Sequence, residues 1–104
     1  MHTLTVLYYR VDDETALEEF FSGVHLPLLE GLPGLRVVEI GRVMGQPLGQ
    51  SRFTLTVAAG FDDRAALTAA LATETGIMLM NALRPWAENR LIAWYYADTF
   101  REEL

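Results

Sequence analysis

Leu4, Val6 and Tyr8 alternate with Thr5, Leu7 and Tyr9 over residues 3–10, the period of two that a strand shows when both of its faces are at least partly covered. Such a strand belongs inside a sheet. The period then lengthens, and Leu17, Phe20, Phe21, Val24 and Leu28 recur at helical spacing. Asp12 and Asp13 offer an N-cap for this helix, Glu14 suits its first turn, and Glu18, Glu19 and Ser22 form its outer face. Pro27 disfavours helical geometry at Leu26, so the helix is predicted to end or kink around His25. Leu32-Pro33-Gly34-Leu35 then turns the chain into the next strand.

Residues 36–44 and 53–61 have strand character, with a Gly- and Pro-containing hairpin loop over 45–50. In the second of these strands Phe53, Leu55, Val57, Ala59 and Phe61 share one face, predicted to pack on helices, and Thr54, Thr56, Ala58 and Gly60 share the other. Asp62 and Asp63 cap an Ala- and Leu-rich helix over 65–72. A second helical piece covers 76–84 and stops before Pro85, an aromatic strand covers 90–97, and the tail over 101–104 is loose or docked on a partner. The order strand, helix, strand, strand, helix, strand predicts one α+β domain over 1–104, with the ferredoxin-like βαββαβ arrangement and a four-stranded antiparallel sheet. Helices cover one face. The apolar second faces of the first and last strands call for another sheet, so two copies are expected to pack as a dimeric α+β barrel.

Composition agrees with association. A chain of 104 residues buries a modest share of its surface, and 51% hydrophobic residues with a mean hydropathy of +0.16 leave apolar surface for a second subunit of a homodimer. The net charge is -6, every basic side chain is Arg, and no basic patch forms, so nucleic acid is not expected as a partner. Without Cys there is no disulfide, thiolate nucleophile or zinc-thiolate site. No stretch reads as a signal peptide or a membrane span, and a cytoplasmic protein without membrane partners is expected.

His25 is the candidate for general acid or base work, because imidazole titrates near neutrality and a helix C-terminus favours its protonated form. It follows Phe21 by one turn, at the edge of the apolar stripe where helix meets sheet and a pocket would form. The plainer alternative is that His25 bonds a loop carbonyl and helps turn the chain at Pro27. Tyr8, Tyr9, Phe53, Trp86, Trp94, Tyr95 and Tyr96, with Phe20 and Phe21, could line a cavity for a small apolar or aromatic molecule. Tyr9, Phe21, Trp86 and Tyr95 are the candidate substrate-binding residues. Trp94 and Tyr95 point to opposite faces, so at most one of them should line any given pocket. His2 is assigned to a mobile terminus, and no cluster with metal-ligand spacing recurs, so no metal is expected. The acidic runs at Asp12 to Glu14 and at Asp62 and Asp63 read as helix caps, and no phosphate-binding glycine loop follows a strand.

The segment Phe20, Phe21, His25-Leu26-Pro27-Leu28 and Leu32-Pro33-Gly34-Leu35 resembles the EthD family of dimeric α+β barrel proteins, and a weaker likeness continues through Phe61-Asp62-Asp63 and the second helix. Where many relatives have Glu-Gly and a later Asp, this chain has Thr75-Gly76 and Asn81, so a carboxylate role there does not carry over. Similar barrels include lactone isomerases, polyketide cyclases, cofactorless monooxygenases and haem-binding enzymes. The resemblance thus implies a cofactor-independent enzyme of isomerase, cyclase or lyase type with His25 moving a proton. It also admits a noncatalytic ligand-binding or accessory protein of a degradation pathway, or a haem- or oxygen-dependent oxidoreductase with His25 as haem ligand.

Overall fold

Leu4, Val6 and Tyr8 are at most 3% exposed on one face of β1 (His2–Tyr9) in the computed structural model, which describes residues 1–104. The chain continues through α1 (Glu14–Phe20), a wide π-helical turn (Phe21–His25), α2 (Leu26–Glu30), β2 (Val37–Arg42), β3 (Phe53–Phe61), α3 (Arg64–Leu71), α4 (Glu74–Glu88) and β4 (Ile92–Asp98). The four strands pair antiparallel in the order β2-β3-β1-β4, which is the predicted ferredoxin-like α+β sheet. β1 is central, as its two-sided pattern requires. Its even residues face the helices together with Leu55, Val57 and Ala59 of β3, and the core closes over them with Leu17, Phe21, Leu29, Leu67, Leu79 and Leu83.

The predicted caps form. Asp13 accepts from the Thr15 amide at 3.0 Å and Asp63 from Ala66 at 2.8 Å; Thr73, not among the expected caps, accepts from Gly76 at 3.1 Å at the start of α4. The helix was expected to end or kink at His25, and here the structure differs. At Phe21–His25 the hydrogen bonds step back five residues, with the Leu26 amide donating to Phe21 O, and Leu26 itself is helical at φ -63 and ψ -46. Pro27 then falls in the first turn of α2, where a missing N–H costs nothing. The wide turn also moves the buried row. Leu17, Phe21, His25 and Leu29 face the core at a constant spacing of four, whereas Val24, expected in the apolar stripe, is 36% exposed.

Two further expectations are corrected. The pairing of β1 with β3 shifts between Tyr8 and Tyr9, so Tyr9 pairs with Phe53 and Thr54 is passed over. This bulge changes the phase of alternation and places Phe53 beside Tyr9 on the open face, ring centroids 4.8 Å apart, instead of in the helix-packed row. Pro85 was predicted to lie beyond the last helix but sits inside α4. An interior proline costs about 3 kcal/mol, and here Trp86 and Ala87 pack against the core to offset it.

Helices α3 and α4 meet at Gly76, where an added Cβ would lie 2.5 Å from the Leu71 Cα. Backbone cannot yield there as a side chain can. Gly76→Ala is therefore expected to lose about 1–3 kcal/mol by overpacking, despite the better helix propensity of alanine. An unchanged or raised urea midpoint for that variant would show that the two helices separate freely.

Candidate functional site

The wide turn carries His25 into the core beside Tyr8. Tyr8 closes β1 on its helix-facing side, fully buried, and His25 is 1% exposed. The Tyr8 hydroxyl and His25 Nδ1 lie 2.6 Å apart. Nε2 is buried and has no hydrogen-bond partner. Aromatic rings enclose the pair. Phe21 meets the imidazole edge-on at 5.8 Å, Phe20 lies 6.5 Å from it, and Trp86 stands edge-on to Tyr8 at 5.8 Å. Phe20 and Trp86, both half-buried, stack on one another at 4.6 Å and form the outer wall of the enclosure.

Burial sets the protonation. Removal from water pushes the His25 pKa down from 6.5 to about 4, and it pushes the Tyr8 hydroxyl well above its usual range. Both groups are neutral at pH 7. The expectation that a helix C-terminus would favour imidazolium fails, because the helix continues through His25 to Glu30 and desolvation dominates. The hydroxyl can donate to Nδ1 or accept from it. The pair therefore accommodates either tautomer, with Nε2 carrying its proton in one and bare in the other.

Of the four candidate substrate-binding residues, the structure brings Phe21 and Trp86 to this enclosure. Tyr9 is on the opposite face of the sheet against Phe53, bordering a 520 Å³ surface hollow with Arg10 and Arg52. Tyr95 borders a 310 Å³ groove with Trp94, Tyr96, Met80 and Leu4. Trp94 and Tyr95 thus line one groove together, against expectation, because at an edge strand side chains of both faces reach the rim. None of the four surface cavities is lined by His25. A haem would need open space at Nε2, and the rings that close on His25 do not fit one. Sequence reasoning missed Tyr8 as the partner of His25; the signal was a hydroxyl that follows Leu4 and Val6 on one strand face, where burial demands a bond.

In comparisons with solved structures, an EthD family protein from Bacillus halodurans superposes with a TM-score of 0.86 and 29% identity, over 96% of this chain and 99% of that one. The chain is EthD-like in fold and sequence. At 20% identity and a TM-score of 0.63, a dimeric ferredoxin-like protein from a Jannaschia species matches over 95% of this EthD-like chain and 100% of its own length. SnoaB, a cofactor-independent oxygenase from Streptomyces nogalater, matches with 18% identity and a TM-score of 0.64, over 99% and 95% of the two chains. No family model matches the sequence, and no curated protein matches it significantly. No single helix is long and apolar enough to cross a membrane.

The folded pKa of His25 lies below its unfolded value, so between pH 6.5 and about 4 the unfolded chain binds more protons than the folded one. Stability is expected to fall as pH drops through that window and to level off below it. In NMR spectra the His25 Cε1–H resonance should not titrate above pH 5. A midpoint near 6.5 would show that the ring is solvated.

Proposed function

We propose that this EthD-like protein is a small-molecule enzyme that uses cofactor-independent acid/base chemistry, with His25 as the proton-transfer residue and Tyr8 as its partner. The supporting observation is the unpartnered Nε2 of a buried imidazole whose other nitrogen is held by Tyr8. Leaving such an atom unsatisfied costs free energy, and wide helical turns of this kind are frequent at functional sites. A bare Nε2 takes a proton from a carbon or hydroxyl next to a carbonyl. Once charged in apolar surroundings it returns the proton readily, since its basicity is low there. Isomerisation, cyclisation and elimination all consist of such steps. The surrounding rings suit an apolar or aromatic substrate, which enters by displacing the Phe20 and Trp86 stack.

A noncatalytic ligand-binding or accessory role is the second reading, favoured by the filled space around His25. Oxygen chemistry draws only on the likeness to SnoaB at 18% identity and on no residue of this chain, so we rank it below both. The proposal includes a cytoplasmic homodimer formed through the open sheet face, in keeping with a cysteine-free chain and with dimeric neighbours of the same fold.

The test is a screen of small aromatic lactones and ketones for consumption, followed by variants. His25→Asn and Tyr8→Phe are each expected to lower kcat by about 10²-fold or more with the fold retained. Full activity of His25→Asn on a consumed compound would overturn the assignment, and consumption of none, with only the stability responding to these changes, would favour the accessory role. Sedimentation velocity at micromolar concentration should give twice the 11.7 kDa chain mass; a monomer there contradicts the homodimer.

A further inference from the structure

His2 lies at the other end of β1, about 20 Å along the strand from Tyr8. It was assigned to a mobile terminus, but it pairs with Phe61 of β3 and Asp98 of β4, and its side chain is 12% exposed. The strand ladder holds it. Its ring lies 6.3 Å from that of Tyr96 and within 17° of parallel. Nδ1 meets Asp98 Oδ1 at 2.5 Å, which fixes the ring and leaves Nε2 as its free nitrogen.

The ring borders a 370 Å³ cavity beside α3, with Arg64 and Thr68 as its other polar residues. Arg64 makes no ion pair, so its guanidinium donors are unspent. Tyr96 also borders the 310 Å³ groove of Leu4, Met80, Trp94 and Tyr95, whose lining is mainly aliphatic and aromatic. A cationic end and an apolar end therefore meet at one tyrosine.

We propose that these two hollows form a second ligand site, distinct from the Tyr8 and His25 enclosure, and that it takes a small aromatic carboxylate. Arg64 receives the carboxylate, whose two oxygens match its planar guanidinium fork, and the adjoining aromatic groove favours an acid that carries a ring over a bare phosphate. Asp98 holds the His2 ring in place beside that group through Nδ1. The aromatic ring of the ligand lies in the groove against Met80 and Trp94, where sulfur and indole favour a π-system. The net charge of -6 makes a local anion site a specific feature, not a consequence of general charge.

Phenylacetate is the probe, followed by calorimetry and by the His2 ring resonances in NMR spectra. Saturable binding that shifts His2 is expected, weakened about tenfold by Arg64→Gln, the loss of one charge-assisted hydrogen-bonding partner, and weakened also by Trp94→Ala. Arg64 is exposed, so its replacement should leave the melting temperature unchanged and the comparison clean. Phenylacetamide should bind at least about tenfold more weakly for the same reason. The proposal is overturned by the absence of any His2 shift, by equal affinity in Arg64→Gln, or by inorganic phosphate binding as tightly as phenylacetate.

Discussion

A phenolic hydroxyl buried among hydrocarbon must find a partner, and in this chain that requirement joins the sheet to its first helix. An unmet hydroxyl would cost about 1–3 kcal/mol, a large fraction of the stability of a small domain. Tyr8 meets it with His25, seventeen residues further on. The imidazole is at hand only because the helix widens at Phe21–His25, which holds Leu17, Phe21, His25 and Leu29 in one buried row. A regular helix would have drifted Val24 or Leu28 into that row, and the hydroxyl would face methyl groups.

The same burial gives the pair its chemistry. Desolvation keeps His25 neutral, and the lack of any partner for Nε2 leaves one nitrogen uncommitted inside a ring of Phe20, Phe21, Tyr8 and Trp86. An uncommitted donor or acceptor in such a place is a cost that the aromatic packing around it offsets. Exposed ion pairs add little to this account. The Arg42 and Glu18 pair, which links β2 to α1, and the Arg36 and Asp62 pair are both open to water.

β1 organises the molecule more than any other element. It is hydrogen-bonded on both sides, to β3 and β4, and it carries Tyr8 at one end and His2 at the other. Each of these two polar side chains is oriented by a single bond to a residue on another element, and each is bordered by aromatic rings. The bulge after Tyr8 separates the two faces at that end, sending Tyr9 and Phe53 to the open side.

The order of strands and helices, the caps at Asp13 and Asp63 and the antiparallel ferredoxin-like sheet were legible in the sequence, because period and capping are written in residues a few positions apart. His25 was legible as a candidate, and Phe21 could be placed beside it by helical spacing alone. The rest depended on contacts between distant parts of the chain. Tyr8 as the partner of His25, the wide turn that accommodates Pro27, the bulge that turned Phe53 outward, and the anchoring of His2 by Asp98 across 96 residues each follow from which surfaces pack together. Local chemistry decides what a segment can form, and burial against the remainder of the molecule decides its phase, its register and the charge of its titratable groups.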